Sequence, residues 1–338
     1  WPQPFHYFTF RSVAVQWTGV LAIGAMSVIL VLAARPAWAE RWLDGLDKSY
    51  RLHKWLGIAA LAASVAHWWL ALGTKWMVGW GWLVRPERGP RPKVTDPVQL
   101  WFNSQKGLAD TLGEWAFYGG AALIVLALIK RFPYRWFAKT HTLLAVAYLA
   151  LVYHSVIRTR FAYWAQPVGW VEAALMLAGS VAALMVLAGR VGAKRRVQVT
   201  VQAADWLAPM QTLRMRLAVP PGWAGHAPGQ FAFVSFSRAE GAHPYTIASV
   251  WDGQQREITF LVKALGDYTS RLHEWLRPGQ RATLEGPYGC FTFEDSASAQ
   301  IWVGAGIGIT PFMARMEHLA RLRDASDAAG SAGDAGDA

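Results

Sequence analysis

The chain has 338 residues, 54% of them hydrophobic, with 20 Trp, a formal net charge of +11 and one cysteine. That length suits two or three domains; the mean hydropathy of +0.18 is high for a water-soluble protein, and abundant Trp suits membrane interfaces. Cys290 alone excludes an intrachain disulfide framework, a cysteine-built zinc site and a cysteine-held iron–sulfur cluster, and because the basic residues flank apolar runs instead of forming one tract, no nucleic-acid partner is expected.

The opening residues have no basic n-region and no small-residue cleavage site, so they are no signal peptide, and the start reads as that of a fragment. Five apolar segments follow, near 12–34, 53–73, 112–130, 137–157 and 168–189. Each approaches the roughly 20 residues a helix needs to cross a bilayer, so 1–190 reads as an all-α transmembrane bundle. Lys130, Arg131, Arg135 and Lys139 cluster in one loop, and Arg190, Lys194, Arg195 and Arg196 follow the fifth segment. Basic loops stay cytoplasmic, so the fifth helix runs outside to inside and Trp1 lies outside. Loop 74–111 is then external despite Lys75, Arg85, Arg88, Arg91, Lys93 and Lys106; long loops obey the rule poorly.

Four of the nine histidines lie in apolar segments: His53 and His67 in the second, His141 and His154 in the fourth. At a rise of about 1.5 Å per residue the members of each pair stand roughly 20 Å apart along their helix. One helix intervenes, so the two segments run parallel, and His53 levels with His141 near the inside, His67 with His154 near the outside. A single intramembrane histidine is often packing or part of a proton path. Two matched levels point instead to bis-imidazole ligation of two stacked b-type haems, an electron wire; copper or zinc held by histidine alone needs three or four converging ligands. At about 100° per residue, fourteen residues return to within about 40° of one face, but thirteen fall about 140° away, which predicts a π-bulge or bend between His141 and His154.

After GRVGAKRRVQ, strand-like alternation takes over: RVQVTVQ, TLRMRLAV, QFAFVSF, EITFLVKAL and RATLEG, separated by PPG, APGQ and RPGQ turns. This reads as a small antiparallel β-barrel over 194–298. IWVGAGIGITPF, 301–312, then reads as strand, glycine-rich loop and helix, the start of an α/β nucleotide-binding lobe over 299–323. DASDAAGSAGDAGDA, 324–338, reads as a disordered tail or linker.

HPYT, 243–246, together with the fourteen- and thirteen-residue histidine spacings, resembles the ferric reductase and NADPH oxidase superfamily, a bis-haem membrane domain fused to a ferredoxin-reductase-type FAD and NAD(P)H module. Tyr245 replaces the family's Phe, and the likeness covers about residues 10–320. The resemblance implies that His243, Pro244, Tyr245 and Thr246 line an FAD, with Tyr245 as an aromatic wall and Thr246 near the reactive edge. It implies that LVKALGDYTSRL, through Val262, Lys263, Gly266 and Thr269, holds the pyrophosphate at a helix start. Gly286, Pro287, Tyr288 and Gly289 match the family's Gly-Pro-Tyr/Phe-Gly turn near the cofactors. Gly304, Gly306, Gly308, Thr310 and Pro311 become the NADPH or NADH site, where glycines admit a pyrophosphate and Pro is tolerated in the first helical turn. The family usually has six membrane helices and a longer nucleotide lobe, so an absent first helix and an incomplete lobe are expected.

The expectation is a multi-pass oxidoreductase of the inner or plasma membrane with a cytoplasmic FAD domain. NAD(P)H reduces FAD, and electrons pass His53/His141, then His67/His154, to an external ferric chelate or oxygen. No acid–base catalytic residue is nominated. Arg158, Arg160 and Lys75, near the outer end, read as interfacial anchors or as attractors of an anionic acceptor. Two alternatives stand: an electron-transfer subunit serving a partner protein or quinone, and a membrane-anchored flavin diaphorase without haem.

Overall fold

The computed structural model describes residues 6–86, 93–129, 132, 134–237, 240–294 and 299–334. Arg88, Arg91, Lys130 and Arg131 of the basic loops lie outside the described residues. The chain forms two compact units, Trp1–Ala39 with Ser49–Val191, and Glu40–Lys48 with Gly192–Ala338.

The chain up to residue 191 holds α1 (Tyr7–Ala33), α2 (Ala37–Trp42), α3 (Leu46–Trp68), α4 (Thr74–Gly79), α5 (Pro97–Leu128), α6 (Tyr134–Arg158) and α7 (Pro167–Leu187), with the end of α2 and the first residues of α3 belonging to the second unit. A π-helical turn, Trp69–Gly73, fuses α3 and α4 into one rod. Among the described residues five helices are long and apolar enough to cross a membrane: α1, the α3–α4 rod, α5, α6 and α7. α5 starts at Pro97, well before the apolar segment expected near 112. Hydropathy marks where that helix becomes apolar, whereas its start is set by Asp96, whose Oδ1 accepts from the Gln99 N–H at 2.9 Å, with Pro97 in the first turn.

α5 lies along α6 and α1 along α7. Ile23, Tyr148, Met176 and Ala183 are buried together. Small residues allow the close approach: a Cβ on Gly179 would stand 2.9 Å from Ser27 Cα and 2.2 Å from the Tyr148 hydroxyl. That hydroxyl and Ser27 Oγ are hydrogen-bonded at 2.8 Å.

The irregularity expected between His141 and His154 is not there. α6 is α-helical from Tyr134 to Arg158, and the π-turn sits in the partner rod, just past His67. The rings absorb the thirteen-residue offset instead, His141 lying on Phe137 and His154 against Gly113.

The second unit holds β1 (Arg196–Leu207), β2 (Thr212–Ala218), β3 (Phe231–Ser237), β4 (Gly241–Thr246), β5 (Glu257–Lys263) and β6 (Arg281–Tyr288), with α8 (Asp267–Trp275) and α9 (Thr310–Asp334). The strands form one antiparallel sheet in the order β4-β3-β6-β1-β2-β5. In β2, Leu213, Met215 and Leu217 point into the core while Arg214 and Arg216 face out, the period-two pattern of a strand with one buried face. The expected barrel is not closed by a ladder among the described residues: beyond β4, a single bridge there, Ile247 to Phe260, joins the two edges. Pro244 sits in β4, an edge strand, where its missing N–H leaves no inner ladder broken.

Two further expectations change. IWV forms no strand, and Ile301 and Val303 are 93% and 85% exposed; among the described residues no neighbouring strand of that lobe is present to pair with it. The tract expected as a tail is helical as far as Asp334, because its alanines favour helix, and 335–338 lie outside the described residues.

Candidate functional site

Within the helical unit, the rings of His53 and His141 have centroids 6.0 Å apart, and those of His67 and His154 6.3 Å. α3 does not pack closely along α6, so the two imidazole pairs cross a gap between these helices. Two metal–nitrogen bonds of about 2 Å, plus the half-ring behind each nitrogen, place ring centroids about 6 Å apart. Both pairs therefore fit a metal held between two imidazoles.

The far side of each ring is also organised. The Nδ1–H of His53 donates to Ile29 O at 3.3 Å, that of His67 to Val15 O at 3.0 Å, and that of His154 to Ala109 O at 2.8 Å. A carbonyl can only accept, so in the neutral ring Nε2 keeps its lone pair. This is the tautomer and the outer support that metal-bound histidines use. His141 differs: it lies on Phe137, centroids 4.9 Å apart, and its buried Nδ1 has no hydrogen-bond partner among the described residues.

Glycines make room for the rings. A Cβ at Gly113 of α5 would meet His154 Nδ1 at 2.2 Å, and one at Gly19 of α1 would meet His67 Cε1 at 3.2 Å. Gly57, one turn beyond His53, has no neighbour beyond its own stretch of helix within 4 Å of its Cβ position, so the space there is open. His154 thus leans into a slot on α5 while His141 lies on its own helix, and the interplanar angles of the two pairs differ accordingly, 89° and 52°. The outer level is braced further by Arg11, which donates to Leu70 O at 2.7 Å and Ala71 O at 3.0 Å at the π-turn. Arg158 pairs with Asp110 at 3.1 Å and Arg160 donates to Ser12 O at 2.7 Å.

In the second unit the flavin-type motifs converge. Phe231 of β3 registers with Thr246 on one side and with Tyr288 on the other, which sets HPYT and GPYG on either side of one strand. Lys263 ends β5, and its Nζ lies 3.9 Å from the Cβ position of Gly306, which brings the glycine-rich loop to the same edge. Thr269 Oγ1 accepts from the Leu265 and Gly266 N–H groups and fixes the start of α8. Val262 is buried in the sheet, and Thr310 is buried at the start of α9, beside Pro311, its Oγ1 donating to Ile307 O. Gly304 lies against the Phe312 ring, whereas Gly308 meets nothing.

His243 stacks on Tyr268 of α8, centroids 4.4 Å apart and planes at 7°. The hydroxyls of Tyr245 and Tyr268 are buried without a hydrogen-bond partner among the described residues. Burial pushes the Tyr268 phenol up to about 12 and the Tyr245 phenol higher still, so both stay protonated donors facing this site. Burial also holds His243 below the usual histidine range, opposed by Glu240, 3.6 Å from its Nε2. Beneath the GPYG turn, buried Glu285 accepts from the Tyr288 hydroxyl at 2.9 Å and pairs with Arg196 at 2.9 Å. Sequence reasoning missed Gly19, Gly113, Tyr268 and Glu285; only the two glycines left a signal, as isolated helix breakers inside apolar segments.

The family described as "Ferric reductase like transmembrane component" matches residues 18–152, and the FAD-binding domain family matches 196–292. The chain is similar to Respiratory burst oxidase homolog protein E of Arabidopsis thaliana, with 25% identity over 240 residues, covering 63% of this chain and 24% of that protein. It is similar to Ferric reduction oxidase 8, mitochondrial, of the same plant, with 23% identity over 320 residues, covering 89% of this chain and 39% of that protein. The ferredoxin–NAD(P)(+) reductase component of the naphthalene 1,2-dioxygenase system of Pseudomonas putida is 31% identical over 106 residues, 31% of each. The chain thus spans from about a quarter to two fifths of the length of these relatives. It is a membrane protein with a region that matches the ferric-reductase-like transmembrane family, followed by a region that matches the FAD-binding domain family.

Proposed function

We propose that this chain is a transmembrane oxidoreductase of the ferric reductase and NADPH oxidase type, moving electrons from NAD(P)H and FAD across the bilayer to a ferric chelate or oxygen. The observation that carries this reading is the pair of imidazole pairs, 6.0 Å and 6.3 Å between centroids, across one helix gap. Two b-type haems, one held by His53 and His141 and one by His67 and His154, would supply one-electron redox chemistry at two depths.

The chain's own residues do the rest. Ile29, Val15 and Ala109 carbonyls orient three of the four imidazoles so that Nε2 faces the gap. His67 and His154 would together hold the outer group, so an external acceptor would be reduced without binding its metal. In the FAD domain Tyr245 forms the aromatic wall, Thr246 and Tyr288 flank Phe231, and the start of α8 after Gly266 receives the pyrophosphate. The glycine-rich loop at 304–308 receives NADPH or NADH. Arg190, Lys194, Arg195 and Arg196 follow α7, and this basic run supports the reading of a cytoplasmic FAD domain at an inner or plasma membrane.

The test is anaerobic reduction of the purified full chain loaded with FAD and haem, by NADPH, by NADH and by light-reduced FAD. A reduced b-type spectrum that follows flavin reduction supports the reading. A flavin that reduces while the haem spectrum stays oxidised overturns it in favour of a tethered diaphorase.

A further inference from the structure

Glu172, in the second turn of α7, is an acid inside an apolar bundle. Its residue is 3% exposed, Oε1 accepts from Thr159 Oγ1 at 3.4 Å, and Oε2 is buried with no partner among the described residues. No ion pair reaches it among the described residues. It lines a cavity of about 250 Å³ with Val20 and Gly24 of α1 and Pro167, Val168, Val171 and Leu175 of α7. Two of those walls, Val168 and Val171, are 39% and 59% exposed on the lipid-facing side, so the cavity opens toward hydrocarbon. An ionisable group in such surroundings costs stability and marks a place where function uses it.

Two fixed points set this cavity beside the outer histidine pair. Thr159, which donates to Glu172, follows His154 by five residues, about 7.5 Å of helix rise. On α1, Gly19 packs against His67, and the next residue, Val20, lines the cavity.

We propose that this cavity is the binding site of a lipid-soluble quinone, reduced at the outer end of the chain. The proposal rests on the electron path described above. An apolar ring enters from the bilayer between Val168 and Val171, and one carbonyl oxygen meets the Glu172 carboxyl. Reduction to the quinol turns two C=O groups into C–OH and takes two electrons and two protons. The electrons arrive singly, drawn from NAD(P)H, which is oxidised. One proton comes from Glu172, whose carboxylate is reprotonated from the outer aqueous face by way of Thr159, and the second comes from water. From the facing elements, Val20 and Gly24 of α1 and Thr159 after α6 contribute no charge, so among the described residues Glu172 is the one titratable group lining the cavity.

The experiment uses the full chain, wild type, Glu172→Gln and Gly24→Leu, with a short-chain azido-ubiquinone as photoprobe and decylubiquinone as acceptor. A Cβ at Gly24 would stand 3.8 Å from Leu175 Cδ1, so Gly24→Leu adds bulk to the cavity from α1 and leaves Glu172 itself unchanged. Expected are labelled peptides from α1 and α7 in the wild type, at least tenfold less label in Gly24→Leu, and at least a tenfold loss of quinone reduction in Glu172→Gln with ferric-chelate reduction unchanged. Label elsewhere or nowhere, as when only acyl chains enter, overturns the proposal, as does quinone reduction unaffected by Glu172→Gln. Photolabelling needs no haem, so a chain without haem that still labels at α1 and α7 breaks the electron path alone, and a haem-loaded chain that does not label there breaks this proposal alone.

Discussion

Gly113 of α5 faces His154 of α6 so closely that a Cβ there would sit 2.2 Å from the imidazole Nδ1. The ring fills the place of a side chain, and its Nδ1–H reaches Ala109 O through the slot. Gly113→Ala therefore displaces the ring and breaks that bond. The expected outcome is a fall from two haems per chain to about one, with the His53/His141 level retained, measured as haem per polypeptide. Unchanged haem content would show that the slot does not position the ligand.

Glu285 ties Arg196 and Tyr288 together beneath the GPYG turn. Glu285→Ala leaves a buried phenol and a cation without their acceptor and is expected to cost the FAD domain about 2–3 kcal/mol. Arg196→Ala is expected to cost less, because the Glu285 carboxylate, 7% exposed, keeps its hydrogen bond from the Tyr288 hydroxyl. Denaturant midpoints of the two variants give the order.

Tyr268 lies flat on His243. Tyr268→Phe keeps that stack and loses only the hydroxyl, whereas Tyr268→Ala removes both. FAD affinity is expected to fall about tenfold in Tyr268→Ala and by less in Tyr268→Phe, since an aromatic pair contributes about 1 kcal/mol beyond its area. Flavin fluorescence titration measures both; equal losses would assign the effect to the hydroxyl.

Burial lowers both His226, whose Nε2–H donates to Ser249 O at 2.9 Å, and His243. Groups with folded values below the unfolded histidine value of about 6.5 bind protons better when unfolded. Their contribution is fully present above that pH and is lost as pH falls through the folded values. The thermal midpoint for FAD release is expected to drop between pH 7 and pH 5, and less so in His226→Gln. A flat midpoint over that range would contradict the assignment.

The helical bundle and the sheet were legible because each repeats a local pattern. Apolar runs near the bilayer span mark α1 and α7, and alternation in TLRMRLA marks β2. What was hidden depends on a second segment. Nothing in the local sequence of Gly113 says that His154, on another helix, will lean over it. The offset of thirteen residues predicted a distorted α6, yet the backbone stays regular, because a slot on α5 and a ring stack on Phe137 move the rings instead. IWV has the composition of a strand but no neighbour among the described residues, and a strand is made by its partner. Glu172 could be seen as an acid in an apolar run, but its cavity is formed by α1 and α7 together.

The most direct measurement is the dithionite-reduced minus oxidised spectrum of the purified chain, with haem counted per polypeptide in wild type, His53→Ala and His154→Ala. Two low-spin b haems in the wild type and one in each variant is the result expected from paired imidazoles at two depths. No haem in the wild type, or two retained in either variant, would contradict it.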